Sequence, residues 1–594
     1  MRFDRDHPRY KWVALSNTTV GMLLATVNSS IVIISLPAIF NGIHLDPLAP
    51  GNVSYLLWML MGFLLVSAVL VVALGRLGDM FGRVKLYNQG FVVFTVASIA
   101  LSLDPFQHST GALWLIGWRV VQAVGGAMVF ANSTAILTDA FPARQRGMAL
   151  GINQVAAIAG SFIGLVLGGV LAEWDWRAVF WVSVPIGILG TVWSYLSLHE
   201  LGERGGGKLD WWGNGTFAIG LSALLAAITY GLQPYGGHVM GWTSPKVLAG
   251  LIGGAVLLVA FGFIETRVAD PMIDLRLFRI RAFAAGQTVN LLAAMSRGGL
   301  QFMLIIWLQG IWLPLHGYSY EDTPLWAGIY MLPLTVGFLL AGPASGAISD
   351  RLGARAFATG GLLLTAATFA GLIALPANFD YRLFAALLAL NGIGMGLMAA
   401  PNSAAIMNAV PASARGAASG IRATGMNAGM VLSMGAFFTL MAIGLADRLP
   451  QAMSSGLVGH GVDPAAAHAA SQASPVGLLF AAFLGDNPIR QLVPHPGAHA
   501  QTATIYGHHF FPTLISEPFR HGLLIAFSAS IVMLLLAAGA SLLRGERFVH
   551  EDAHQSAVEA TAREGDALSV PAVLGEDVAY DDAMSGRAGG QRGA

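Results

Sequence analysis

The chain has 594 residues, 55% of them hydrophobic and only 11% charged, where a soluble domain carries about 25% charged residues. Its 32 basic and 32 acidic side chains cancel, so no basic excess points to nucleic acid, and the absence of cysteine excludes a disulfide framework, thiolate metal sites and a cysteine nucleophile. With a mean hydropathy of +0.64, the composition excludes a soluble enzyme and points to a polytopic membrane protein.

A spanning helix needs roughly 20 mostly apolar residues, and about fourteen such runs follow one another. Their expected limits are 14–39, 54–75, 87–104, 112–138, 147–171, 177–198, 212–232, 246–265, 283–313, 324–347, 358–376, 382–405, 417–445 and 521–543. The first run follows Arg2, Arg5, Arg9 and Lys11, but it is too long for a signal peptide and no small-residue cleavage site follows it. With the N-terminus in the cytoplasm, the cytoplasmic loops hold Arg76, Arg83, Lys85, Arg144, Arg146, Arg276, Arg279, Arg351, Arg355 and Arg415. The opposite loops hold only scattered cations such as Arg177, Lys246 and Arg382. This asymmetry predicts a multi-pass protein of the plasma (inner) membrane with both termini cytoplasmic.

The expected organisation is a cytoplasmic N-terminus (1–13), a six-helix bundle (14–200), an inserted helix pair with its linkers (201–281) and a second six-helix bundle (282–543). The second bundle carries a long external loop, 446–520, rich in Ala, Gly, Pro and His, whose apolar stretch Val476–Leu484 is too short to span. This loop could hand substrate to an external partner. The acidic tail, 544–594, is expected to be disordered.

An internal repeat supports the two bundles. Pro142-Ala143-Arg144-Gln145-Arg146-Gly147-Met148-Ala149-Leu150-Gly151-Ile152 reappears as Pro411-Ala412-Ser413-Ala414-Arg415-Gly416-Ala417-Ala418-Ser419-Gly420-Ile421, and Gly75 to Arg83 reappears around Gly346 to Arg355. Repeated bundles meeting at a central site are a transporter architecture.

Gly75-x-x-Gly78-Asp79-x-x-Gly82-Arg83, Arg119-x-x-Gln122-x-x-Gly125-Gly126, Trp176-Arg177-x-x-Phe180 and Pro271-Met272-Ile273-Asp274-Leu275 together resemble the major facilitator superfamily, in its fourteen-span drug:proton antiporter branch of the QacA and EmrB type. The resemblance implies an all-α fold of fourteen transmembrane helices, with two six-helix bundles and two inserted helices. It also implies efflux of drugs or other small molecules by proton-coupled antiport. The proton gradient would be the energy source, with no cofactor. No Gly-rich Lys-Ser/Thr loop is present, so no ATP coupling is expected.

Asp79 lies at a helix end where it can accept from the amides opening the next helix and pair with an arginine. Gly75, Asp79 and Arg83, echoed by Asp350, Arg351 and Arg355, are therefore expected to form a conformational latch. Arg119 lies within a span with Gln122 on its face, and a charge there must face a cavity or a partner. The resemblance ties Arg119 to proton transfer, for which Asp79 and Asp139 are the acids at hand. Gly160, Gly164, Gly168 and Gly169 permit close helix packing, although Gly164-Leu165 stands where the branch has Gly-Pro.

In the first span Asn28 stands where the branch has a titratable aspartate. With Ser35 seven residues on, Asn28 forms a polar strip expected to contact substrate. Arg297, Asn290 and Trp118 complete the expected cavity. No Asp or Glu lies at mid-depth in any span, so a cavity with Arg119 and Arg297 is expected to be electropositive and to favour an anionic or zwitterionic substrate. His495, His499, His508 and His509 lack the one-turn helical spacing of a zinc pair, and Pro494, Pro496 and Gly497 predict coil. The alternative to drug efflux is a lipid or metabolite exporter with weak or altered proton coupling. A polytopic membrane enzyme is the remote alternative.

Overall fold

A computed structural model describes residues 7, 9–46, 52–201, 210–231, 235–236, 240–268, 271, 273, 275–320, 322–411, 415–484, 487–497 and 499–544. In lipid every backbone polar group must be satisfied internally, so apolar runs of this length fold as helices. Among the described residues, fourteen are long and apolar enough to cross a membrane. They are α1 (Tyr10–Gly42), α2 (Ser54–Phe81), α3 (Arg83–Ser102), α4 (His108–Ala140), α5 (Met148–Trp174), α6 (Ala178–Ser197), α7 (Trp211–Gly231), α8 (Pro245–Glu265), α9 (Arg281–Leu315), α10 (Thr323–Gly346), α11 (Ala354–Ala374), α12 (Tyr381–Asn408), α13 (Ala417–Gly459) and α14 (Phe510–Leu542).

The expected external loop is shorter than its sequence suggests. α13 continues to Gly459 and α14 starts at Phe510, so the connection runs over 460–509 rather than 446–520. Leu449, Met453 and Leu457, one helical turn apart, are fully buried and carry α13 past its apolar run. The connection itself contains the helices Pro464–Ser471, Pro475–Leu484, Ile489–Leu492 and Thr502–Ile505. The first begins on a capping pattern that was readable: Asp463 accepts from the Ala465 N–H and Pro464 opens the helix. Within this connection Val476, Leu478, Leu479 and Phe480 are buried. Phe480 stacks on Phe438 of α13 at 4.7 Å, and Gly310 of α9 leaves room for the backbone of Ala482.

α9 includes a π-turn over Leu308–Trp312. The wider turn places Trp307 and Trp312, five residues apart, so that their indole N–H groups donate to the carbonyls of Ala377 and Phe379, both at 3.0 Å. Trp307 is thereby fixed inside the second half.

The duplication is visible in how helices cross. Gly82 (φ 110°, ψ 124°) and Gly353 (φ 91°, ψ 142°) turn the chain into α3 and α11 in a region open almost only to glycine. Eight residues on, Gly90 and Gly361 lie against α4 and α12: a Cβ on Gly125 would sit 2.8 Å from the Gly90 carbonyl oxygen, and one on Gly394 2.8 Å from that of Gly361. Beside these crossings Gln122 donates to Ser98 at 2.9 Å, and Asn391 to Thr368 at 2.7 Å. Three residues before these amides stand Arg119 in one half and buried Leu388 in the other. The halves thus share a scaffold, and the buried charge of the fourth span belongs to one of them.

The inserted pair packs on itself through Gly220 and Gly254 and docks on α2, where Thr229 lies 3.1 Å from the Met61 sulfur. Ile252, Val256 and Val259 leave one face of α8 apolar and exposed, as contact with lipid requires.

Candidate functional site

Two adjoining cavities lie between the halves. The first is walled by Thr26 and Ser29 of α1, Phe63 and Leu64 of α2, Phe130 of α4 and Met430 of α13. The second is walled by Asn290 of α9, Phe338 of α10, Met395 and Asn402 of α12 and Arg422 of α13. Gln154, Ile158, Arg297 and Met426 line both. Methionine side chains give such walls shape tolerance.

Arg297 is half-buried, and its Nη2 lies 3.8 Å from the Met430 sulfur. Arg422 is buried; its Nη2 donates to Gln154 Oε1 at 2.8 Å, its Nε has no hydrogen-bond partner, and its carbonyl accepts from Asn290 Nδ2 at 2.9 Å. Among the described residues no salt bridge reaches either guanidinium, and the only buried carboxylates, Asp104 and Glu265, lie at span ends. The charged side chains of these walls are Arg297 and Arg422, where the sequence pointed to Arg297 and Arg119, and without a nearby carboxylate they make the cavity electropositive. Arg422 was missing from the sequence reading because it follows the loop residue Arg415 by only seven positions. Those seven positions carry it about 10 Å along the helix, away from the loop. Another buried arginine, Arg544 just past α14, donates to Asn402, and burial pushes its guanidinium down to about 10.

Arg119 does not line the cavities. Its Nη1 donates to Asn28 Oδ1 at 3.1 Å and to Gln122 Oε1 at 3.5 Å, while Asn28 Nδ2 donates to Ser183 at 3.2 Å. The guanidinium lies 4.9 Å from the centre of the Phe63 ring, which itself faces the first cavity. Three expected substrate contacts are corrected here. Asn28 is buried against α4 and α6, and its neighbour Ser29 takes the cavity wall. Ser35 donates to the carbonyls of Ile31 and Gly168 within the α1–α5 contact, and Trp118 packs against Trp114 at 5.8 Å. A step of one residue turns a helix by about 100°, so the polar strip of α1 was assigned one position off. The repeat gives the same register: Gly160 meets the Leu23 carbonyl as Gly429 meets that of Leu291. Counting six residues on from each leucine pairs Ser29 with Arg297. Asn290 and Arg297 line the second cavity.

The latch residues form a cluster within the first half. Arg83 bonds Asp79 at 2.8 Å and Asp139 at 2.6 Å, joining α2, α3 and α4. The amides opening α3 are held by Glu200 rather than by Asp79: its carboxylate accepts from the Arg83 N–H at 2.6 Å and from the Val84 N–H at 3.1 Å. Glu200, the acid just past α6, is more than 100 residues from the amides it caps, so no local capping pattern marks it. Gly75 packs against Ala131 of α4. The side chains of Asp350 and Arg351 lie outside the described residues, and Arg355 is exposed. The four glycines divide. A Cβ on Gly164 or Gly168 would meet α1 backbone at 2.5 and 2.6 Å, and Gly160 also meets α1, so these three seal a contact within one half. Gly169 faces the other half, 2.5 Å from Leu325 Cα by the same measure.

A sequence profile of the Major Facilitator Superfamily matches residues 18–307 and again 288–548, nearly once per half. The chain belongs to the Major Facilitator Superfamily. It is a multi-pass membrane transporter and not an enzyme. Its relatives include the tetracenomycin C resistance and export protein of Streptomyces glaucescens, 28% identical and covering 89% of this chain and 91% of that one. The methyl viologen resistance protein SmvA of Salmonella typhimurium is 30% identical (73% and 83%), and the riboflavin transporter RibZ of Clostridioides difficile is 26% identical (73% and 89%). Among solved structures, an inward-facing bacterial homolog of the human lysosomal transporter Spinster aligns with a TM-score of 0.52 at 16% identity, covering 91% of this chain and 98% of that one. This shows the shared fold.

Proposed function

We propose that this transporter exports small amphipathic molecules bearing a carboxylate, sulfonate or phosphate, or a zwitterionic head, across the plasma membrane by alternating access. The observation that carries this reading is the cavity between the halves. Its walls are largely apolar, and its charged side chains are two guanidiniums that no carboxylate reaches among the described residues. With both termini cytoplasmic, substrate enters from the cytoplasm or inner leaflet and leaves when the halves rock about Gly169 and Leu325. The relative named as an export protein, that of Streptomyces glaucescens, supports the direction of movement.

Inward protons drive the cycle through Asp79 and Asp139, the acids joined by Arg83, since Asn28 cannot titrate. An exported anion also moves down an inside-negative potential, worth about 2.3 kcal/mol per charge per 100 mV. The test is flux in proteoliposomes with pH and voltage imposed separately. Acceleration of an anionic probe by both supports the reading. A probe moved by neither contradicts it. A lipid or metabolite exporter with altered coupling is the second reading, favoured by Asn28 in place of an acid. In that case flux would follow voltage alone.

A further inference from the structure

We infer that Arg297 and Arg422 form a two-point clamp for one oxyanionic group, and that the bound anion replaces Gln154 as the partner of Arg422, releasing a hydrogen bond that joins the two halves. Arg422 belongs to α13 in the second half and Gln154 to α5 in the first, and their 2.8 Å bond crosses between them at the wall of the second cavity. The Nε–Nη2 edge of a guanidinium is one that grips an oxyanion with two parallel bonds. Here Nη2 is held by Gln154, while Nε is buried with no partner, so half of the grip is vacant.

Arg297 supplies the second point. It lines the same cavity two helical turns beyond Asn290, whose side-chain amide ties α9 to the Arg422 carbonyl. A charged acceptor is held about twice as strongly as a neutral amide. An oxyanion therefore displaces Gln154, and the apolar first cavity takes the rest of the molecule. The clamp rests on the proposed cavity being the substrate site, and it adds a consequence: occupancy by the anion loosens a contact between the halves.

The probes are 8-anilinonaphthalene-1-sulfonate and N-phenyl-1-naphthylamine, which share an aromatic body and differ in the sulfonate. Equilibrium dialysis of the full chain in detergent, against a micelle control, reads both affinities without any gradient. The failure of the clamp is thus separable from the failure of transport, which is read by flux. The wild type is expected to prefer the sulfonate. Arg297→Gln and Arg422→Gln are each expected to weaken it by about tenfold, the loss of one charge-assisted bond, and to leave the uncharged dye within about twofold. Gln154→Glu places an internal carboxylate on Arg422 and is expected to weaken the sulfonate alone. Intact binding of the uncharged dye reports an intact cavity in each variant. The clamp is overturned if the wild type does not prefer the sulfonate, if its affinity survives both arginine substitutions, or if the two dyes weaken in parallel in all three variants.

Discussion

Asn28 shows how one amide redirects a site. It accepts from Arg119 and donates to Ser183, so the buried charge of α4 is solvated by a neutral group that cannot release a proton. Asn28→Asp would convert that contact into an ion pair. We expect the variant to add a pH-dependent limb to efflux, measured as rate against internal pH, where the wild type has none from this position. At the head of α3, Glu200 closes two amides that the helix leaves unpaired. Glu200→Gln keeps the shape and removes the charge, and by capping energetics should cost about 1 kcal/mol, read as a lower thermal midpoint.

Asp104 lies in the loop between α3 and α4, and burial holds its carboxyl above the usual carboxylate range against the opposing pull of the Phe106 N–H and Arg177. A carboxyl raised in the fold contributes stability that is full below about pH 4 and is lost as pH rises through its folded value. Asp104→Asn should therefore flatten the fall in thermal midpoint as pH rises above about 4. A variant that steepened the fall would contradict the assignment.

At the scale of the helix, what was readable and what was not follow from different forces. Apolar length sets where a helix crosses, so the fourteen spans were legible, and the paired loops announced the duplication before Gly82 and Gly353 showed it in their φ angles. Helix rotation is set by which neighbour packs closest, which no single helix encodes. Gly164 and Gly168 seat α1 so that Ser29, and not Asn28, faces the cavity. Depth is hidden for a similar reason: Arg422 lies five residues inside the expected span, near its cytoplasmic end, and only its packing against Gln154 brings it to the cavity. The overrun of α13 and α14 is hidden by a composition rich in Ala, Gly and Pro, and its one signal in α13 is the helical spacing of Leu449, Met453 and Leu457.

The division of the glycines makes a paired prediction. Gly164→Leu should wedge α1 from α5 within one half and lower the thermal midpoint. Gly169→Leu should leave the fold intact and block flux, because its side chain would meet Leu325 across the halves. Efflux and melting measured together separate the two. Flux that survived Gly169→Leu would count against movement at this contact. Gly82→Ala places a side chain at φ 110° and should cost about 1–3 kcal/mol, seen by thermal unfolding.

For the molecule as a whole, the zero net charge conceals a sorting by location. Paired acids hold Arg83 at a span end, while the arginines of the interior meet amides, a methionine and an aromatic ring. On the proposed reading, such a transporter selects by charge in the cavity and holds its acids at the ends of the spans. The most direct test is efflux from proteoliposomes under an imposed pH gradient, comparing one anionic, one cationic and one lipid substrate side by side in wild type and Arg297→Gln. Gradient-driven movement of the anion above the other two, lost in Arg297→Gln, is the predicted result. Movement of the cation in preference, or an anion flux untouched by Arg297→Gln, would contradict it.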